Sequence, residues 1–598
     1  KLWLIFNFGT SVPDPAQWNA GIPALAPAWA DGNIVLGKAS SAHDFPILAR
    51  AVLGALVHAN HQWDDRVTTI VNALLLAGTF ALLLAACARR LGWTALWAAA
   101  LCSGVLLAMP LGWEQSLVGS ALPDRLGLFL AFPAAWALLD RDLASPLWWL
   151  AAICLLLAQA AADWTAVVCL SLGAVTAVRV FTSKTHRSRD LAVLGLVVVG
   201  LAAHRLFNPG SWETLGWPSL RKLNAAIADP WPGLSFVLLV PLVIRIAIGV
   251  RDGDSKHSIA PVAAFTTAGL ATILWLVFAR IPRPWGVPTA ATDVLLLLVV
   301  LSFSSLTQLW HLRWQRLPVR IAFTLAWGAL LILGMHYRVD KAVGRVLPTL
   351  VVRHEGELAA LGRCLALPAG APAAVQPAAP GSPAPAIGYA IPHLASPALR
   401  SVLPYALQTP VAVRSGPTTT DDFAPLQRDQ FALPTPEEPA WAGSPAAQIE
   451  GGTIFISLPL PAAKTRVLRF RTAGDLGTPR FPFALRSTRT GQIVPLKLGT
   501  STGERWRTAN LVRPADPVVI VAGPAARGTW GAFTHPVEMG LWSWYAAKIA
   551  KNWMLPLLAG IGVFTVALLL PLAPRSLRRE TFELDSHGHI RIAAEDEP

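Results

Sequence analysis

The sequence predicts a polytopic α-helical membrane protein with an all-β sandwich inserted before its last helix. Three observations predict it. Of the 598 residues, 54% are hydrophobic and only 14% charged, where a soluble domain carries about a quarter. Apolar runs of about 20 residues recur, the length that crosses about 30 Å of hydrocarbon. The long polar stretch near the C-terminus alternates at strand period and not at helix period.

Taken in order, Leu2–Phe8 reads as the end of an apolar run, so the start of a first span is expected upstream of Lys1. Residues 10–67 form the first long polar segment and hold five carboxylates outside any span, Asp14, Asp31, Asp44, Asp64 and Asp65. A membrane protein does polar chemistry where polar groups stay wet or paired. The acid or base of an enzyme is therefore expected here. Residues 45–60 are too short and too amphipathic to cross, and read as a helix lying in the membrane interface.

Spans are expected at about 68–88, 92–111, 122–139, 146–162, 164–183, 189–207, 233–250, 259–280, 288–310, 318–336 and 550–573, about twelve with the truncated first one. Almost nothing separates 146–162 from 164–183, which predicts a tight helical hairpin. Strict alternation places Arg89-Arg90, Asp140-Arg141-Asp142, Lys184 to Arg189, Arg251 to His257, Arg313 to Arg316 and the tail after Pro574 on one face. By the positive-inside rule that face is cytoplasmic. The other face carries 10–67, 112–121, 163, 208–232, 281–287 and 337–549.

The predicted domains follow. Residues 1–336 form the bundle with its large first loop. Residues 337–449 are an extracytoplasmic linker rich in Pro and Ala, a composition that favours extended chain. A short ordered helix is expected within it at 393–404. Short alternating strands from 450 to 546, separated by Gly, Pro and Asp, predict the sandwich. Residues 547–574 are the last span and 575–598 a cytoplasmic tail. Trp542, Trp544 and Tyr545 suit an aromatic belt.

The formal charge of +14 does not indicate nucleic acid. The basic residues cluster at span ends, and no nucleic-acid motif occurs. Five cysteines have no metal spacing, and four lie in apolar runs where they act as small hydrophobes. There is no P-loop, dinucleotide fingerprint, nucleophile elbow or His-Glu-x-x-His.

The layout is an apolar span, a long acidic loop with an interfacial helix, about ten more spans and a C-terminal extracytoplasmic domain. It resembles the GT-C class of polytopic glycosyltransferases, which use polyprenyl-phosphate-linked sugars. The arabinosyltransferases of that class also carry carbohydrate-binding β-sandwiches. The resemblance implies three partners, namely membrane lipid, a polyprenyl-phosphate-linked sugar and a glycan acceptor. In that class a carboxylate soon after the first span is the catalytic base or helps hold a divalent metal, and the position here is Asp14. The class often has two adjacent acids there, where this chain has Asp14-Pro15. The adjacent pair Asp64-Asp65 sits at the far end of the loop.

Each candidate carries a structural alternative. Asp14 is the first candidate base, or starts a turn before Pro15. Asp44 is the second, or the N-cap of the interfacial helix with Pro46 in its first turn. Asp64 and Asp65 suit the N-terminus of the next helix. Arg66 suits a lipid phosphate, or pairs with one of those acids. Glu114 and Arg125, with Asp124, are candidates for substrate binding or for an ion pair at the bundle mouth. Arg221 and Lys222, among tryptophans, suit phosphate and isoprenoid, or anchor the loop at the interface. Trp506 and Trp530 suit stacking on sugars, or are the buried tryptophans of a sandwich. The rival to the enzyme is a non-catalytic membrane component of envelope polysaccharide assembly or export. A transporter fits less well, because no pair of interrupted spans sits in mirrored positions.

Overall fold

The structure is a computed structural model. It describes residues 2–13, 17, 46–108, 116–182, 187–207, 235–251, 256–278, 289–312, 397–408, 410–421, 423–425, 440–443, 454–462, 465, 467–503, 505–552, 582–584 and 590–592, with single positions between 325 and 361.

The helices in order are α1 (Leu2–Phe8), α2 (Ile47–Asn60), α3 (Asp65–Ala108), α4 (Leu122–Asp140), α5 (Pro146–Ala158), α6 (Thr165–Thr182), α7 (Arg187–Phe207), α8 (Ser235–Arg251), α9 (Lys256–Phe278) and α10 (Thr289–Leu312). Each span expected between 122 and 310 has its helix. Among the described residues, four helical stretches are long and apolar enough to cross a membrane, Asp65–Ala86, Gly119–Asp140, Arg187–Phe207 and Ile259–Leu276. The spans expected at 318–336 and 550–573 fall almost wholly outside the described residues.

Two expectations about the spans change. The sequence predicts separate spans at 68–88 and 92–111 with a basic loop between them. The structure instead runs α3 without a break for 44 residues through Arg89 and Arg90. The junction offers little to stop a helix, since Ala, Arg and Leu propagate one and Gly92 is the sole glycine there. The joint between α5 and α6 is short, as expected, and Thr165 closes it by donating to the carbonyls of Ala162 at 2.7 Å and Ala158 at 3.0 Å. The main packing partner of α5 is nevertheless α4, whereas α6 packs chiefly on α7 and α9, and each also touches the other's neighbour, α6 on α4 and α5 on α7.

The bundle is centred on α10. Every residue from Val294 to Leu301 is buried, so this helix is apolar on all sides because protein surrounds it. It packs against α3, α8 and α9. Amphipathic α2 behaves differently. Ala49, Leu53 and Val57, at helical spacing, are buried on one face. They join Trp63, Leu122 and Leu126 in a second core. A short helix, α11 (Pro397–Val402), adds Leu399 and Val402 to that core, so the ordered helix expected at 393–404 is present.

The β region contains β1 (Phe423–Pro425), β2 (Ala440–Gly443), β3 (Phe455–Ile456), β4 (Val467–Gly474), β5 (Phe483–Ser487), β6 (Ile493–Leu496), β7 (Arg507–Val512), β8 (Val518–Ala522), β9 (Gly531–Thr534) and β10 (Val537–Met539). One antiparallel sheet has the order β1-β2-β9-β4-β10, with β7 also on β4, and the other β3-β8-β5-β6. Inward residues of both sheets, among them Phe455, Phe470, Phe483, Leu485, Ile520 and Phe533, form one core. Strands β1 and β2 come from the Pro/Ala-rich stretch before residue 450, so the sheets begin earlier than their sequence signal. The segment 366–392 lies outside the described residues. After β10 comes α12 (Leu541–Lys551), and the tail holds a hairpin of β11 (Phe582–Leu584) and β12 (Ile590–Ile592).

Candidate functional site

Residues 60–66, Asn-His-Gln-Trp-Asp-Asp-Arg, link α2 to α3, and distant parts of the chain converge on them. Asp64 caps α3, its Oδ1 accepting from the Arg66 amide at 3.0 Å. That satisfies one of the four unpaired amides of a helix start. Burial pushes the Asp64 carboxyl above the usual range, opposed by the Arg66 charge and by hydrogen bonds from the Ser543 hydroxyl and the Arg66 backbone. The Asp65 amide donates to the Ser11 carbonyl at 3.1 Å. The Asp65 carboxylate accepts from the Gly119 amide at 3.0 Å. A Cβ at Gly119 would collide with this carboxylate and with Gln17 Nε2, so the approach needs glycine. The expectation that Asp64 and Asp65 serve a helix N-terminus holds.

Gln62 and Asn60 fasten the other side. Gln62 donates from Nε2 to the Glu538 carbonyl and accepts at Oε1 from the Gly540 amide, both at 2.7 Å. Asn60 Nδ2 donates to Ser543 Oγ at 3.0 Å. The Trp63 amide donates to the Val402 carbonyl.

Arg66 is the cation at this hub. Its Nε donates to the Gly9 carbonyl at 3.1 Å and its Nη1 to the Tyr405 hydroxyl at 3.4 Å. Among the described residues no carboxylate lies within ion-pair distance of it. Tyr405 meets a second cation, because the Arg469 guanidinium of β4 lies 4.8 Å from its ring centroid. Two arginines thus flank one tyrosine where helices and sandwich meet, and the hydrogen bonds from the Arg66 guanidinium go to neutral oxygens, with the Asp64 carboxyl near enough to feel its charge. Such a fork retains its affinity for a phosphate or carboxylate.

The other candidates fall as follows. Asp14, Asp44, Glu114, Arg221 and Lys222 lie outside the described residues. The chain on both sides of Asp14 is described. Ser11, Val12 and Pro13 are buried, Ser11 binds Asp65, and Gln17 adjoins Asp65 and Gly119. Pro46, and not Asp44, occupies the N-cap of α2, with no side-chain cap.

Arg125 is buried, and its Nη1 lies 2.9 Å from Asp293 Oδ2. Its neighbour Asp124 accepts from Trp164 Nε1 at 2.8 Å. The ion pair was expected at the bundle mouth with Glu114 as one member, and the partner in the structure is Asp293 of α10. Arg125 is thus committed to a helix–helix contact. The sandwich core combines phenylalanines with aliphatic residues, with Trp441 packed against it, and Trp506 and Trp530 are not in it. They are half-buried against Ala442, Ala473 and Ala532, on the opposite side of the sheet from Phe470 and Phe533. They are therefore not the buried tryptophans of a sandwich.

Among the described residues no group of three His, Cys, Asp or Glu could hold a metal ion. Asp64 and Asp65 are already engaged by backbone amides, so this pair does not fit a metal. Asn60, Gln62, Tyr405, Arg469 and Asp293 carried no distinct sequence signal, except that Asp293 is a lone acid inside an apolar run. Compared with known proteins, the chain matches no family model and no curated sequence.

Proposed function

We propose that this chain is a multi-pass glycosyltransferase of the bacterial inner membrane. It transfers a sugar from a polyprenyl-phosphate carrier to a glycan or lipid acceptor on the extracytoplasmic face. About twelve spans, an extracytoplasmic sandwich and a cytoplasmic tail belong to the same reading, and the distribution of Lys and Arg supports them. One observation carries the proposal. Among the described residues the hydrogen bonds of the Arg66 guanidinium go to neutral oxygens, at a hub where the chain flanking Asp14 also packs. That puts a cation for phosphate beside the start of an acidic loop.

The chemistry is direct. The loop carboxylate, Asp14 ahead of Asp44, takes the proton of the acceptor hydroxyl as its oxygen attacks the anomeric carbon. Such a base contributes roughly 10²–10⁴-fold. The carbon–oxygen bond to the carrier phosphate breaks, and Arg66 neutralises the departing phosphate. Attack opposite the phosphate inverts the anomeric centre. The sandwich keeps the acceptor glycan near, raising its effective concentration.

The test uses the purified chain in nanodiscs with radiolabelled lipid-linked sugars and a membrane glycan extract. Asp14→Asn should fold normally and lose about 10²-fold or more in turnover. Arg66→Gln should lose turnover with little change in melting temperature. No donor consumption by the wild type defeats the proposal.

One observation favours a second reading. Asp64 and Asp65 are held by backbone amides and Arg125 by the pair with Asp293, as in a non-catalytic component of polysaccharide assembly or export. The same assay decides, because that component turns over no donor.

A further inference from the structure

Arg469 of β4 differs from the arginines of the bundle. Arg125, Arg179 and Arg189 each face a carboxylate. The Arg469 guanidinium has none within ion-pair distance among the described residues, and donates no hydrogen bond to any of them. Its contact is the ring of Tyr405, 4.8 Å from carbon to centroid. That contact engages the charge and leaves the N–H donors of the fork for a ligand.

The sheet register accounts for this. Directly opposite residues of an antiparallel ladder share a face, and Arg469 stands opposite Asn510 of β7 and Val537 of β10. Arg471 shares that face, two positions along β4, opposite Thr508. The single acid in the described strands of this sheet is Glu538 of β10. It stands opposite Leu468, on the core face, where its charge acts on Arg513. The face turned to Tyr405 therefore carries two arginines and no carboxylate on its strands.

The hub holds that face in place. Gln62 binds the Glu538 carbonyl at 2.7 Å, one residue beyond the Val537 that pairs with Arg469. Arg66 reaches the Tyr405 hydroxyl at 3.4 Å, while Arg469 reaches the ring. One phenol ring thus separates two forks, one from α3 and one from β4. Asp64, the acid that acts on Arg66, is buried and caps α3. Arg66, Tyr405 and Arg469 are all half-buried, so a ligand reaches them where water screens charge less. Planar forks of this kind match the oxygens of a phosphate.

We propose that Arg469 is the second ligand of the carrier phosphate, which sits between α3 and β4 across Tyr405. This rests on the carrier reading given above for Arg66 and adds to it. The sandwich grips the donor as well as the acceptor.

The test is binding, measured apart from turnover. Equal traces of polyprenyl phosphate and uncharged polyprenol are added to the chain in nanodiscs of phosphatidylglycerol. Lipids that stay bound after release into detergent are counted by native mass spectrometry. Phosphatidylglycerol is in excess, so a site that takes any phosphate headgroup shows no preference. The wild type should prefer polyprenyl phosphate. Arg469→Gln should retain about tenfold less of it, as loss of a hydrogen bond to a charged group implies, with polyprenol unchanged. Arg469→Lys keeps a cation for the ring but not the planar fork. It should lose part of the preference, and it carries the test if the Gln chain does not fold. A wild type without preference, equal loss of both lipids in the Gln chain, or full preference in either variant overturns the proposal. Donor consumption is followed in parallel. A wild type that prefers polyprenyl phosphate through Arg469 but consumes no donor keeps this site and defeats the glycosyltransferase. A wild type that consumes donor while Arg469→Gln changes nothing keeps the glycosyltransferase and removes Arg469.

Discussion

Asn60, the last residue of α2, caps a helix that begins more than 480 positions later. Its Oδ1 accepts from the Trp542 amide at 2.9 Å and from the Ser543 amide at 3.2 Å. Gly540, at the N-cap of α12, has no side chain to do this. The first polar loop thereby closes the start of the helix that leaves the sandwich, and the capping bond is also a tertiary bond.

Asn60→Ala should lower stability by about 1–2 kcal/mol, the cost of losing a helix cap. Gly540→Ala should act alike, because a Cβ there would run into Asn60 Oδ1 and the Asn60 carbonyl. Thermal unfolding in detergent measures both. The double variant should cost less than the sum, since both changes break the same contact. Full additivity would contradict the shared cap.

His535 predicts a pH dependence. Its Nδ1 accepts from the Val413 amide at 2.7 Å, which requires an unprotonated nitrogen. Burial lowers its pKa from the usual 6.5, partly offset by a hydrogen bond to the Val411 backbone. The folded state therefore binds fewer protons than the unfolded one, so stability falls as pH drops through about 6.5. His535→Asn can keep an acceptor for Val413 without titrating. The melting temperature of the wild type should fall more than that of the variant between about pH 7.5 and about pH 5. Equal falls would remove His535 as a cause.

Phe533 sits at the centre of the sandwich, its ring 5.2 Å from Phe455, 5.3 Å from Phe483 and 5.9 Å from Phe423. Phe533→Ala should cost about 3–5 kcal/mol and open the sheets to protease. Phe533→Leu should cost less than half as much. Cleavage sites in partial digests, mapped by mass, distinguish the two.

The sequence makes some of these features legible and hides others for physical reasons. Strand period and turn residues mark β3, β4, β5 and β8 and the first residue of β7, but not β6, and apolar length marks the helices from α4 to α10. Strands β1 and β2 are hidden because Pro and Ala have no strand periodicity, and pairing with β9 supplies what local sequence does not. The break expected at Arg89-Arg90 rested on charge, and charge alone does not stop a helix. Segment 60–66 stands out as polar, and its acids read correctly as helix-start residues. Asn60 and Gln62 do not stand out, because their partners are separated from them by most of the chain. Tyr405 and Arg469 meet Arg66 only through the packing of the sandwich on the hub.

Asp293 is the residue that most changes the reading of a predicted site. It lies one turn into α10 and pairs with Arg125 of α4, both side chains almost fully buried. Removing one partner of a buried pair strands the other charge at a cost of about 3–5 kcal/mol, whereas replacing both by apolar residues of similar volume is often neutral or stabilising. Arg125→Met alone and Asp293→Leu alone should each sharply reduce folded yield. The double variant Arg125→Met/Asp293→Leu should restore it. Turnover then separates the two roles of Arg125. If its work is to hold α4 against α10, the restored double variant keeps donor turnover within a few-fold of wild type. If Arg125 binds the carrier phosphate, as its sequence position suggested, the double variant folds but is inactive. The buried geometry predicts the first outcome, and a folded, inactive double variant would return Arg125 to the substrate site.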